Sequence, residues 1–542
     1  MLSAANIARF FHTVRHLRPV QVYGRIRFRL LKPRPDLRPA PSLRSARGPW
    51  CRPAERRQSM TGPGRFRFLN VERSLADVGW DDPGLAKLWR YNEHYFDDLC
   101  AERSTLRADW HRDLLLRWVD ANEPARGTGW EPYPTSLRIV NWCKWMLAGN
   151  ELPSDCVQSL AVQARWLVRR LEWHLLGNHL FVNAKALVFA GCVFDGPEAD
   201  AWLARGVDIL RHQIPEQILD DGGQFERSPM YHALALEDML DLLNLGRACP
   251  GRIESLLPMV ESRLPAMRHW LAAMCHPDGE IAFFNDAAIG IHPAPSQLER
   301  YCRDLGLGIV EPIPDGLTLL GSSGYARLQS DTGTTVAIFD VGRIGPDYLP
   351  GHAHADTLSI ELSVRGRRVL VNSGTSEYGV GPERCRQRGT ATHNTMTVGG
   401  VDSSEVWDGF RVGRRALPIG LECTDGPEPR VACSHDGFRR LAGRPTHRRE
   451  LTLSPGALVV QDFLAAPGRV RSYWHLRPGV TPTRVGSETF VLEPDGLRME
   501  FIASCVDAVP SSWHPEFGVT VSNACLRSTP SAAASSVRFA WQ

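Results

Sequence analysis

The chain of 542 residues contains no CxxC pair, and its 13 cysteines follow no regular spacing. That excludes a zinc-ribbon framework. An odd number without a pattern points to mostly buried free thiols and towards a reducing compartment. No apolar run approaches the roughly 18 residues that a membrane-spanning helix needs. Residues 1–11 hold only a short apolar stretch and no clear cleavage site, so no signal peptide is evident. An excess of one charge is missing too: 63 Lys and Arg stand against 60 Asp and Glu, which demands no nucleic-acid partner. Internal repeats and alternating strand–helix units are also absent.

What is present divides the chain in two. Its length predicts two or three domains, and 43% hydrophobic residues can form large cores. Residues 9–57 are rich in Arg and poor in acids, as in Arg25-Ile26-Arg27-Phe28-Arg29. Such a leader is either a packed arm with solvated arginines or a surface for a membrane or an anionic polymer. Residues 34–64, rich in Pro, Arg and Ser, read as an extended linker. From about 80 to 310 the apolar period is helical, as at Leu114, Leu115 and Trp118, and at Leu236, Met239, Leu240 and Leu243. Most of the tryptophans lie here, either as core or as platforms for sugar rings. From about 317 the period becomes two. Arg365-Gly366 and Pro455-Gly456 read as hairpin turns, and the pattern predicts stacked antiparallel sheets. A cleft commonly forms where two such domains meet.

Four segments carry candidate chemistry. Gly351-His352-Ala353-His354-Ala355-Asp356 precedes an alternating run, Leu358 to Val364, which predicts a half-buried strand with the imidazoles and the carboxylate on one face. Leu176-Gly177-Asn178-His179 falls where one helical pattern gives way to another. A helix start there aims N–H groups at an anion, unless Asn178 merely caps the helix. Gly222-Gly223-Gln224-Phe225-Glu226-Arg227-Ser228-Pro229-Met230-Tyr231 is a polar turn leading into a helix. Placing Arg227 four residues before Tyr231 on one helical face would favour the ionised phenol. In Arg386-Gln387-Arg388-Gly389-Thr390-Ala391-Thr392-His393 a basic loop enters a strand, and His393 could join His354 at a metal, although imidazoles alone do not establish zinc.

Together these segments, with Phe283-Phe284-Asn285-Asp286-Ala287 and Asn372-Ser373-Gly374-Thr375, resemble the heparinase II/III family of polysaccharide lyases over roughly residues 80–480. The resemblance implies a multidomain α + β fold: an arm over 1–75, an incomplete (α/α) toroid over 76–315 and an antiparallel β-sandwich over 316–542. It implies β-elimination on a uronic-acid-containing acidic polysaccharide, in the branch associated with bacterial exopolysaccharide or capsule. By resemblance, Asn178 with His179 neutralises the uronate carboxylate, and Tyr231 and His352 hold the base and acid positions. Arg138, with Arg386 or Arg388, is the expected carboxylate clamp, and Glu226 and Arg227 are expected to bind substrate.

Metal-binding relatives use His, Asp and His; here His354 and His393 match, but Asn372 stands where Asp is common, so a metal is expected to be structural or absent. No cofactor is expected for the chemistry. The resemblance implies a periplasmic or envelope location, with cytoplasm as the alternative, and the basic arm is a candidate for peripheral membrane contact. Two other readings remain: a non-catalytic protein that binds acidic glycans, and a metal-dependent hydrolase. HxH followed by Asp also occurs in (β/α)₈ hydrolases, which place it on the first barrel strand.

Overall fold

The computed structural model describes residues 4–45, 48–464 and 469–541; residues 1–3 of the opening apolar stretch and 46–47 of the linker lie outside it. A helical N-terminal region precedes a region of sheets, and the change of period falls between helix Pro295–Asp304 and strand Gly316–Leu320.

The helical region is organised around helix Gly177–Val193, whose run Ala184 to Val193 is apolar apart from Lys185 and is buried on every side. A helix apolar all round must be surrounded by others. Helix Pro197–Gln217 reaches it through two glycines. A Cβ on Gly191 would lie 2.6 Å from Leu203 Cβ, and one on Gly206 would lie 2.7 Å from the Ala184 carbonyl oxygen. The periodic residues Leu114, Leu115, Trp118, Leu160, Leu167, Leu236 and Leu240 are buried in this core. So are Trp118 and Trp142, while Trp270 is buried against the first sheet, so these three rings are core rather than sugar platforms.

The first sheet is a five-strand meander running Gly316–Leu320, Tyr325–Ser330, Thr335–Asp340, Ile360–Val364 and Arg367–Leu370. Eight-stranded and four-stranded antiparallel sheets follow. Alternation sorts the side chains. In Thr335–Asp340, Val336 and Ile338 face Trp270 and Phe284 of the helical region, whereas Ala337 and Phe339 join Leu451, Val460 and Leu526 of the later sheets. The first sheet therefore lies between the helices and the remaining sheets.

This position corrects one expectation. Strand Ile360–Val364 is buried along its whole length, because the helical region covers its polar face. His276 lies 2.7 Å from Ser363 Oγ and 3.1 Å from Glu361 Oε2, and the Phe283 amide donates to Glu361 at 3.0 Å. Residues 351–359 are turns rather than the head of that strand. Both predicted hairpins are present, with Gly366 and Gly456 at φ 79° and 74°, a backbone region open to glycine. Every pairing between named strands is antiparallel, so a parallel barrel for a hydrolase is not formed among the described residues.

Candidate active site

Two helix starts and three loops converge between the regions. Helix Gly177–Val193 puts Asn178 and His179 in its first turn; the capping position is Leu176, so Asn178 does not cap. Both are half-buried, and the Asn178 side chain makes no hydrogen bond among the described residues. His179 Nδ1 lies 3.2 Å from Glu172 Oε2, and its ring lies 4.6 Å from that of Tyr133. Burial acts against a charged ring here, but the Glu172 carboxylate outweighs it and holds His179 above the usual imidazole range.

Helix Pro229–Ala248 begins at Ser228, whose hydroxyl accepts from the Tyr231 amide at 3.2 Å and donates to the Asp286 carbonyl. That cap ties the start of the Tyr231 helix to the loop carrying Asp286. The Tyr231 hydroxyl lies 3.1 Å from that of Tyr378, and its ring lies 4.0 Å from that of His352. Burial first, then the neighbouring Tyr378, push the Tyr231 phenol well above its ordinary value. The expected lowering by Arg227 is overturned. Arg227 sits before the helix at φ 61°, so the i, i+4 relation does not hold, and its guanidinium donates to the Arg343 carbonyl.

His352 Nδ1 is 2.9 Å from Asp286 Oδ2, and Tyr378 Oη lies 3.4 Å from the same nitrogen. Asp286 opposes its own burial through Arg384, which is paired to both its oxygens, and through His352 and His354; its carboxyl is held well below the usual range. An ionised carboxylate only accepts, so Nδ1 of His352 carries the proton and Nε2 faces Glu226. Glu226 Oε2 lies 3.9 Å from Nε2 and has no hydrogen-bond partner among the described residues. Burial pushes the Glu226 carboxyl up, while His352 and Gln224 pull it down less strongly.

The three expected arginines are each engaged by groups of the protein itself. Arg138 is wholly buried, stacked 3.8 Å over Trp118 and donating to Gln163 Oε1 at 2.9 Å, so it cannot reach a substrate. Residues 382–388 form a short helix, not a loop. Its period sends Arg384 and Arg388 inward and Arg386 outward. Arg388 holds the Ala353 carbonyl from Nε and Nη2 at 3.0 and 2.9 Å. Arg386 is engaged by Glu383, Ser512 and His514. Arg384, passed over in the sequence reading, is the arginine at the site. Its signal was the i, i+4 spacing to Arg388 behind Pro382 and Glu383.

The histidines considered for a metal do meet: His354 Nδ1 lies 3.1 Å from His393 Nε2. The third position does not fit. Asn372 Oδ1 accepts from the Asn394 amide at 3.0 Å, and its amide nitrogen lies 3.5 Å from Ser359 Oγ. Asp286 is on the opposite nitrogen of His354, at 2.8 Å, and is neutralised by Arg384. Among the described residues no group of three or more His, Cys, Asp or Glu could hold a metal. Two imidazoles and an occupied amide do not fit a closed tetrahedral zinc.

The model of the heparinase II/III N-terminus matches residues 141–301, and that of the heparinase II/III-like C-terminal region matches 312–542. The chain belongs to the heparinase II/III family. The family models thus cover the segments that carry Asn178, Tyr231, Asp286 and His352. A heparin-sulfate lyase of Bacteroides stercoris is 27% identical over 242 residues, 41% of this chain and 35% of that protein. One of Pedobacter heparinus is 26% identical over 251 residues, 41% of this chain and 36% of the relative. The match spans about a third of each relative's length. Among solved structures, a heparinase III has TM-score 0.64 at 18% identity, covering 85% of this chain and 77% of its own. The heparan sulfate lyase HepC of Pedobacter heparinus has TM-score 0.58 at 17% identity, covering 89% and 82%. At these identities the likeness concerns the fold: helices first, sheets after.

Proposed function

We propose that this protein is a polysaccharide lyase that cleaves an acidic, uronic-acid-containing glycan by β-elimination. The observation that carries the reading is the string Tyr231–Tyr378–His352–Asp286, joined through Glu226 to the first turn that bears Asn178 and His179. Heparin-sulfate lyases among the relatives support a polyanionic sugar polymer as substrate.

In the proposed reaction Asn178, assisted by His179, binds the uronate carboxylate and stabilises the charge that develops as the C5 proton leaves. The C5–H electrons form the C4–C5 double bond, the C4–O4 bond breaks, and O4 departs with a proton. Tyr231 and His352 are the base and acid, in an order set by the epimer at C5; a single Tyr231 can serve both roles. Glu226, next to His352, contacts the substrate. No step runs through a metal.

The finer architecture belongs to this reading as well: an arm over 1–75, an incomplete (α/α) toroid over 76–315 and an antiparallel β-sandwich over 316–542. An envelope or periplasmic location suits a surface polymer.

The test is a panel of uronate polymers followed by ultraviolet absorbance of the new double bond. The expected result is a rising signal with at least one polymer, lowered on the order of 100-fold or more by Tyr231→Phe and by His352→Ala. Full activity in those variants would overturn the roles. Saturable binding with no unsaturated ends from any polymer would overturn the lyase reading.

A further inference from the structure

The two N-terminal helices leave most of their large apolar side chains exposed. In Ala4–Val14 the half-buried residues are Ala8, Arg9, His12, Thr13 and Val14, and His16 follows on the same side. Thr13 Oγ1 accepts from Trp407 Nε1 at 3.1 Å, and Arg9 lies against Gly413. The opposite face carries Ile7, Phe10 and Phe11, which are 58%, 53% and 58% exposed. Helix Pro19–Leu30 packs through Val20, Gln21, Gly24 and Phe28 and likewise leaves its larger apolar stripe exposed. Gln21 donates to the Tyr348 carbonyl at 3.1 Å, Gly24 meets the His174 backbone, and Phe28 lies under Arg170. Val22, Tyr23, Ile26 and Leu30 point outward, the last 76% exposed. A helix of a globular protein normally turns its apolar stripe to the core. Two successive helices that turn it to solvent mark a contact surface.

Charge identifies the contact. No acidic residue precedes Asp36, and Arg15, Arg25, Arg27, Arg29, Lys32 and Arg34 are all exposed. Among the described residues Arg25, Arg27 and Arg29 form no ion pair, while Arg18 alone is tied down, to Glu216 at 2.6 Å. A second copy would bring like charge onto like. An acidic glycan would match the arginines but not the row of Phe, Ile and Leu side chains. Apolar side chains ringed by arginine suit a bilayer interface with anionic headgroups.

We infer that residues 7–34 form a docking surface for an anionic membrane. Tyr348, which anchors the second helix, adjoins Leu349, and Leu349 covers Gly177 at the start of the Asn178 helix. A membrane-bound arm therefore holds the cleft at the lipid surface, where a polymer leaving the membrane would be met. The surface and the cleft are separate, so this inference stands or falls apart from the lyase reading.

The test is co-sedimentation of the full chain with vesicles of phosphatidylcholine, with and without phosphatidylglycerol. The expected result is sedimentation with the anionic vesicles only, released by high salt. Combined Arg25→Gln, Arg27→Gln and Arg29→Gln substitutions should weaken binding on the order of a hundredfold. Combined Phe10→Asn, Phe11→Asn, Ile26→Asn and Leu30→Asn substitutions should weaken it at least about tenfold. Both sets replace exposed side chains, and circular dichroism checks that the fold is kept. Equal behaviour with neutral and anionic vesicles, unchanged binding in both variants, or a dimer that forms through this face instead would overturn the inference.

Discussion

At the scale of single residues, the cleft separates groups that hold the fold from groups free to act. Arg138 is of the first kind: its charge is buried against Trp118 and its donors are taken up within the helical core. Arg138→Ala should lower the free energy of unfolding in urea by about 2–4 kcal/mol, since it leaves buried acceptors unpaired. KM should be unchanged, whereas a substrate clamp would raise it. Asp286 is a positioning residue. It fixes the proton of His352 on Nδ1, so Asp286→Asn should lower kcat on the order of 100-fold with little change in KM. The same change leaves Arg384 buried without its counter-charge, at about 3–5 kcal/mol of stability; rates should therefore be normalised to folded protein. Metal analysis of the purified chain should find well below one zinc per molecule, because Asn372 already spends its oxygen on Asn394.

At the scale of elements, helices Gly177–Val193 and Pro197–Gln217 meet closely through glycine. Gly206→Ala places a methyl 2.7 Å from the Ala184 carbonyl oxygen and from Val188 Cγ2. The expected cost is about 1–3 kcal/mol in chemical denaturation. Activity should fall with it if the Asn178 end of the helix shifts, since that turn is the one proposed to bind the uronate carboxylate. The buried lysines show a second constraint that amphipathic patterning does not express. Lys185 donates to Asp238 and Asp241, each at 2.6 Å, and Lys144 also reaches Asp241. Charges at apolar-looking helix positions are tolerated because three helices bring them together.

At the scale of the whole molecule, many histidines are buried without charge. His232 is lowered to about 3, and His292 and His475 to about 4, each chiefly by burial, from an ordinary value of 6.5. Their folded-state values lie below the unfolded one. As pH falls from 6.5 towards 4, the unfolded chain takes up protons that the folded chain refuses, so stability is lost across that window. The urea midpoint should drop steadily between pH 6.5 and 4, before most carboxylates have titrated.

The sequence by itself determined the division into helices and strands, the two hairpin turns and the segments that meet at the cleft, because period, glycine and proline act locally. Asn178, Glu226 and Tyr231 were legible as candidates because each lies in or just before the first turn of a helix, and His352 because of its spacing to His354 and Asp356. Only the tertiary structure decided that Arg384 and Arg388 face inward and Arg386 outward, that Asp286 and Tyr378 join His352, and that Arg138 lies in the core. It also decided that strand Ile360–Val364 is covered on both faces, and that the N-terminal helices turn their apolar sides outward. Those outcomes depend on what packs against an element from distant parts of the chain, and local spacing carries no record of that.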